Sequence, residues 1–275
     1  MNKNFELYCF SLSNNHYNLI KEFGYTPVGL GSNKFDDFWL RDNTLDNISE
    51  KNKHYGELTF YYWYWKNKLK HQEDNKWIGF CHYRRFWLQK NNYSKTKPEE
   101  SLKNKILKRI PEEWENFETV LVNPYHINKL KFSKAIKKGL NLIMKNPLLL
   151  VNKNLRTINF HFDMWHGKGN LKKAISLLDE ENKDDFMKFV NTKTSFNAHL
   201  MFFCNSKKIM NKYFESLFLW LTRCEKEFGF RDLKDYDTTR IYAFLAERYM
   251  SYWFKKNSKC LEWSMIHHDI SEDIT

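Results

Sequence analysis

Residues 77–86 read Trp-Ile-Gly-Phe-Cys-His-Tyr-Arg-Arg-Phe, an apolar run that passes straight into one titratable ring and two permanent cations. The run at 77–81 predicts a half-buried β-strand, so the rest of the chain must supply neighbouring strands and cover for its apolar side chains. Open α/β sheets bind ligands in the crevice outside the carboxyl ends of their strands, which is where this sequence puts His82, Tyr83, Arg84 and Arg85. Guanidinium groups offer forked donors matched to phosphate or carboxylate. The plainer alternative makes Arg84 and Arg85 surface residues and His82 a satisfied buried histidine.

With 275 residues the chain can bury a large core, and one α/β domain is favoured over two small ones. Lysine and arginine number 45 against 33 aspartates and glutamates, a net charge of +12, so the field attracts nucleic acid, an anionic membrane or a phosphorylated small molecule. No zinc-finger spacing or base-reading basic helix is present, which argues against nucleic acid. Aromatic residues make up 17%, which suits a core and a stacking pocket and excludes disorder. Cys9, Cys81, Cys204, Cys224 and Cys260 are scattered and form no Cys-x-x-Cys pair, as expected of a reduced, cytoplasmic protein. The first ten residues lack the apolar run of a signal peptide and no long uncharged apolar span exists, so a soluble or peripheral protein is expected.

Along the chain, residues 5–10 read as a first strand, 25–32 as a loop, and 49–69 as a helix capped by Ser49 with Tyr55, Leu58, Tyr62, Trp65 and Leu69 on its buried face and Glu57, Tyr61 and Tyr64 beside it. Residues 88–112 form a basic, partly helical insert whose lysines suit a solvated face or anionic lipid, and 118–123 is a further strand. Helices are expected at 133–145 and 170–178, with a loop carrying His161, Asp163 and His166 between them; their spacing does not fit one helix face, which argues against a metal site. A strand at 197–204 leads into a helix capped by Ser206, and a last helix from about Asp237 turns Ile241, Phe244, Leu245, Tyr249 and Trp253 inward. Residues 1–255 make the domain and 256–275 an accessory tail.

Three segments taken together carry a resemblance: Asp42-Asn43-Thr-x-Asp46-Asn47-Ile48-Ser49; Asn52-x-x-Tyr55-x-Glu57-Leu58-Thr59-x-x-Tyr62-Trp63-x-Trp65-Lys66-Asn67; and Ile78-Gly79-x-x-His82-Tyr83-Arg84-Arg85. They resemble a bacterial glycosyltransferase family of capsule and lipopolysaccharide clusters, long catalogued as a domain of unknown function, which includes galactofuranosyltransferase domains. Arg240 through Glu247 and Arg248 are similar to the family's closing helix. The chain departs from the family where Leu200-Met201-Phe202 follows Asn197 at three residues and where Asn170 follows His166. The resemblance implies a GT-A-like single domain with a mixed central sheet flanked by helices, and transfer of a sugar from a nucleotide-diphosphate sugar, a UDP-sugar by preference, to a capsule, lipopolysaccharide or other glycan acceptor at the inner membrane face.

Such a transfer needs stabilisation of the charge that develops on the departing diphosphate. In many GT-A enzymes a divalent cation on an Asp-x-Asp does this; here Asp235-Tyr-Asp237 sits between helices and reads first as a cap, so no cofactor is required by the sequence and a divalent cation is left open. His82, Arg84 and Arg85 are expected to replace or supplement a metal. Asp42, Asn43 and Asn47 hold the nucleotide or shape its loop, and Glu57, Lys66, Tyr83, His166, Asn197, Arg240 and Arg248 complete the substrate-binding set. If 82–85 stay extended, His82 and Arg84 face one way and Tyr83 and Arg85 the other, and Arg85 pairs with Glu57 or Glu247. Asp163, Asp237 and Glu247 are the carboxylates available as base for an inverting mechanism; a retaining mechanism needs none. The competing readings are a non-catalytic basic module that binds anionic polysaccharide or nucleic acid, and a phosphotransferase acting on polysaccharide.

Overall fold

Alternation along the first strand organises the sheet. Phe5, Leu7 and Cys9 join one buried cluster with Ile20, Phe23, Cys81 and Phe203, whereas Tyr8 and Phe10 meet Phe60, Tyr61, Tyr64 and Phe80. A strand with period-two side chains, apolar on both faces, must be covered on both.

The computed structural model describes residues 4–91, 101–129, 132–231, 233 and 236–274, and no side chain of 132–138. Its strands are β1 (Phe5–Ser11), β2 (Thr26–Gly29), β3 (Leu40–Arg41), β4 (Trp77–His82), β5 (Arg85–Trp87), β6 (Thr119–Val122), β7 (Tyr125–His126), β8 (Ser195–Phe196), β9 (Phe202–Cys204), β10 (Cys260–Trp263) and β11 (Met265–His267). Its helices are α1 (Tyr17–Glu22), α2 (Asn52–Tyr55), α3 (Leu58–Asn67), α4 (Leu102–Lys105), α5 (Phe132–Lys145), α6 (Leu148–Val151), α7 (Ile158–His166), α8 (Asn170–Ser176), α9 (Glu180–Thr192), α10 (Lys207–Phe228), α11 (Tyr236–Thr239) and α12 (Ile241–Asn257). The chain divides into two compact units: residues 1–123, 200–215 and 254–275, and residues 124–199 and 216–253. No helix among the described residues is long and apolar enough to cross a membrane.

The first unit is a mixed α/β body whose central sheet runs in the order β10-β6-β9-β4-β1-β2-β3, with β5 and β11 paired at its side. The block β4-β1-β2-β3 is parallel; β9 runs antiparallel to both β4 and β6. The chain steps outward from β1 to β2 and β3 and then returns to the other side of β1 as β4, so the strand order reverses between β1 and β4. Residues 25–32, expected as a loop, contain β2 because Thr26 to Gly29 finds a full parallel partner in Tyr8 to Ser11. The expected accessory tail is part of the sheet: β10 lies parallel on β6 and β11 antiparallel on β5. Trp263 and Ile270 are buried in the same core as β1. The described part of the basic insert is anchored too, with Ile106 and Leu107 fully buried and Lys103 paired to Glu22; Lys95 and Lys97 lie outside the described residues.

The helix expected over 49–69 is broken. Gly56, at φ 57 and ψ −136, ends α2, a backbone state that glycine adopts without the Cβ penalty, and α3 restarts with Glu57 at its N-cap position. The restart rotates the buried face to Phe60, Tyr61 and Tyr64, leaving Tyr62 and Trp65 half-buried.

The second unit is mostly helical and carries the β7-β8 hairpin ladder. Residues 161–166, expected as a loop, are the last two turns of α7, which Thr157 caps by accepting the Phe160 N–H at 3.3 Å. The strand expected over 197–204 is only β9; His199 and Leu200 have φ 75 and 51, which an extended strand does not admit. In α10 the Ser206 cap is present, its Oγ accepting from Ile209 N at 3.3 Å. In α12 the residues expected inward are buried except half-buried Phe244.

Candidate functional site

Two polar constellations emerge, one in each unit. In the first, β4 ends at His82 and turns back at once: β5 begins at Arg85, and His82 pairs across from Arg85. Residues 82–85 therefore turn as a hairpin instead of running extended, so His82 and Arg85 share one side of the ladder and strand alternation is not what relates His82 to Arg84. Glu57, set at the start of α3 by the Gly56 break, comes to 3.7 Å from His82 Nε2, and the His82 ring stands edge-on to Phe10. Glu57 is thus a partner of His82.

Arg84 occupies the turn, 45% exposed, 3.8 Å from Asp269 and over the Tyr83 ring at 4.7 Å. The turn is held from below and behind. Tyr83 N–H donates to the Phe10 carbonyl, and the Tyr83 ring stacks on His16 at 5.0 Å. His16 bridges Ser11 Oγ at 2.8 Å and Ser271 Oγ at 3.0 Å; burial lowers its pKa, with Asp269 opposing. The C-terminal segment closes the frame by donating from His268 N and Ile270 N to the carbonyls of Arg84 and Tyr83.

Beyond β2 and β3 a cavity of about 1050 Å³ opens, lined by Asn14, Gly31 to Asp36, Arg41, Asn43, Ser49, Glu50, Asn52 and Lys53. Arg41 donates from Nε to Gly29 O at 3.0 Å and from one terminal nitrogen to Gly31 O at 2.8 Å, and its guanidinium lies over Phe35. Gly31 turns at φ 73 against the Asn52 amide, where a Cβ would come within 2.8 Å of Oδ1. Between Arg41 and Asn43, Asp42 is fully buried. Neither carboxylate oxygen has a well-formed hydrogen bond among the described residues, and the nearby Thr59 hydroxyl donates to Gly56 O at 2.9 Å. Burial raises the Asp42 carboxyl, with Thr59, the backbone and Arg41 opposing. Asn47 serves its own loop, its Oδ1 accepting from Ser49 N and Oγ. Lys66 lies over the Trp65 ring at 3.7 Å on the helix flank, and neither residue lines the cavity.

In the second unit Arg248 is buried to 1% among the rings of Phe162, Phe196 and Phe244. It donates to Glu247 Oε2 at 2.6 Å, His161 Nδ1 at 3.1 Å and His166 Nε2 at 3.4 Å. His166 Nδ1 lies 2.8 Å from the Asp237 carbonyl, which fixes the tautomer: Nδ1 carries the proton and Nε2 accepts from the guanidinium. Burial and then the Arg248 charge hold both imidazoles neutral, His166 down to about 3 and His161 well below its ordinary value. Glu247 Oε1 accepts the His199 N–H at 2.5 Å, which pins the left-handed turn at 199–200. Of the other expected residues, Asp163 caps the next turn by accepting from Gly169 N at 2.9 Å, and burial raises its carboxyl. Asn197 is locked to Ser251, and Arg240 lies over Tyr236.

Asp237 belongs to α11; Asp235 lies outside the described residues. Among the described residues no three His, Cys, Asp or Glu gather in a metal-holding group. Sequence reasoning did not find Arg41, His16, Asp269 or the cavity loop. Arg41 directly precedes the quoted Asp42-Asn43 segment and could have been taken with it; Asp269 carries no local signal.

A family model described as "Domain of unknown function (DUF4422)" matches residues 10–258. No curated protein matches the chain in sequence. Among solved structures, the chain is similar to the apo structure of the bifunctional glycosyltransferase WbbM, with a TM-score of 0.65, 19% identity and 96% of this chain covered. The match spans 45% of the WbbM chain, a little under half its length. A second similarity, to the mannosyltransferase Ktr4p from S. cerevisiae, has a TM-score of 0.30 and 11% identity over 81% of this chain and 62% of that one.

Proposed function

The chain belongs to the DUF4422 family, and from that premise we propose that it is a glycosyltransferase that moves a sugar from a nucleotide-diphosphate sugar, a UDP-hexose by preference, to a capsule, lipopolysaccharide or related glycan. The observation that carries the reading is the reversal of strand order between β1 and β4, at whose carboxyl ends exposed Arg84 stands on a braced turn. Ligands of open α/β sheets bind at such a reversal. The GT-A-like fold shared with WbbM supports the same reading.

In this mechanism the diphosphate takes the place of Asp269 as the anion on Arg84, and its growing charge is met by a guanidinium already oriented by Tyr83 and Asp269. His82, backed by Glu57, donates a second hydrogen bond to the leaving group. The cavity by Arg41 and Asn43 receives the nucleoside, and buried Asp42 between them shapes the loop around it. Arg85 holds the hairpin. Asp163 and Glu247 have local structural work, so D163N and E247Q separate their structural roles from proton transfer: a base is lost in kcat with the fold intact.

The test is thermal shift against a panel of nucleotides and nucleotide sugars, followed by nucleoside-diphosphate release with and without chelator. Stabilisation by a nucleotide diphosphate is expected, and R84A should weaken diphosphate binding about tenfold or more while leaving nucleoside binding in place. A protein stabilised by no nucleotide or nucleotide sugar is not this enzyme; equal loss for nucleoside and diphosphate makes Arg84 structural. The non-catalytic alternative has no observation in its favour beyond charge.

A further inference from the structure

Residues 119–162 contain no aspartate or glutamate and eight cations: Lys129, Lys131, Lys134, Lys137, Lys138, Lys145, Lys153 and Arg156. In a chain with 33 acidic residues, 44 successive positions free of them make a strongly polarised segment. Its helices add a second property. Gly139 breaks the helical φ/ψ of α5 (φ −111, ψ 15) and lies against α7, where a Cβ would meet Met164 Sδ at 3.0 Å; Ile143, one turn on, is buried with it. The adjoining positions point outward. Leu140, Met144, Leu148, Val151 and Leu155 are 52, 70, 61, 78 and 36% exposed, five large apolar side chains left in solvent on α5, α6 and the turn that follows.

The ledge is built, not frayed. Buried Arg156 donates from Nε to Leu149 O at 2.9 Å and from a terminal nitrogen to Leu150 O at 3.1 Å, closing the end of α6, and Asn152 accepts from Asn154 N in the next turn. Leu149 is held inward while its neighbours Leu148 and Val151 project. Exposed Lys145 and Lys153 flank them. A row of large apolar side chains with lysines at its margin and no acid within reach in sequence is the composition of an interfacial surface, with apolar tips below the headgroups and ammonium groups among the phosphates.

We propose that α5, α6 and the turn to Leu155 form a membrane-docking face for an anionic bilayer. The basic insert at 88–112, whose described half is folded into the first unit, is not that face. The proposal does not rest on the glycosyltransferase reading, since vesicle binding and sugar-nucleotide turnover are measured separately.

The experiment is co-sedimentation of the whole chain with phosphatidylcholine vesicles, with and without phosphatidylglycerol, at low and high salt, alongside light scattering for oligomeric state. Binding to the phosphatidylglycerol vesicles is expected, falling with salt. Because all four side chains are exposed, L148E/V151E and K145E/K153E leave folding intact, checked by circular dichroism. The first should weaken binding roughly a hundredfold and the second roughly thirtyfold or more at low salt. Absence of binding to anionic vesicles overturns the proposal, as does binding that L148E/V151E leaves unchanged. A dimer that L148E/V151E converts to monomer without vesicle binding overturns it in favour of self-association.

Discussion

Replacing Arg248 by Met tests whether the buried charge cluster organises the second unit. The guanidinium is 2% exposed in its side chain and 2.6 Å from Glu247, itself 15% exposed. It also gives hydrogen bonds to His161 and His166. Methionine fits the apolar walls of Phe162, Phe196 and Phe244, so the packing loss is small and the polar loss dominates. Removing one partner of a buried pair costs about 3–5 kcal/mol, because the other charge is left desolvated. With an m-value of about 3 kcal/mol/M, that lowers the urea midpoint by roughly 1 M or more. The assay is urea unfolding followed by far-ultraviolet circular dichroism and tryptophan fluorescence. The double variant E247Q/R248M removes both charges, and its glutamine still accepts from His199 N, so it should recover about half of the loss or more. If R248M stays within about 1 kcal/mol of the parent, or the double variant is no better than the single, the charge pair is not what holds the cluster together.

Acid provides a second handle on the same cluster. The folded pKa values of His161 and His166 lie below the unfolded value near 6.5, so the unfolded chain binds more protons and stability falls as pH drops below about 6.5, by roughly 3 kcal/mol from His166 by pH 4.5 and further from His161. Urea midpoints across that range should show the fall, flattened in H166N; a flat profile in the parent refutes neutral buried imidazoles. Asp42 has the opposite sign, since its raised folded pKa means stability is lost as pH rises through the window above 3.8, and D42N should be more stable than the parent at neutral pH by calorimetry. G79A should destabilise by about 1–3 kcal/mol or more, because a Cβ on β4 would fall 2.2 Å from the Phe203 ring; a variant that unfolds with the parent contradicts the packing of β9 on β4. Deletion after Ser258 should yield insoluble chain, because it strips β10 from β6 and bares the apolar edge; a soluble, cooperatively folding product would restore the tail to accessory status.

The strands with continuous apolar runs, β1, β4 and β6, were legible because burial on both faces requires that composition. β2 was not, since Thr-Pro-Val-Gly carries turn residues and becomes a strand only through its parallel partner. The tail was misread for a related reason: Cys260 to Trp263 is four residues long and joins the sheet through β6, a pairing some 140 positions away that no local pattern records. In the helix expected at 49–69, Tyr55, Leu58 and Leu69 are buried as expected, while Tyr62 and Trp65 are only half-buried, since Gly56 ends one helix and α3 restarts after it. Tyr61 and Tyr64, expected beside Glu57 as a secondary stripe, are buried as well.

The hairpin at residues 82–85 shows how a site can be located from sequence while its geometry is not. A strand running into cations marks the carboxyl end of β4, and that much follows from composition. Whether the next residues continue or reverse depends on what they pair with: Arg85 pairs back on His82 while β11, from the far end of the chain, takes the other edge of β5. Reversal exchanges the roles of the two arginines. In an extended run Arg84 would share the His82 face and be drawn toward Glu57; in the hairpin it sits at the tip, exposed and loosely held by Asp269, while Arg85 joins the ladder. An anion-binding arginine has to exchange its resting partner for the ligand at little cost, and a half-exposed pair at 3.8 Å is worth under about 1 kcal/mol. The turn therefore does what strand alternation would not: it leaves the weakly committed guanidinium, Arg84, exposed at the tip and commits the other to the fold.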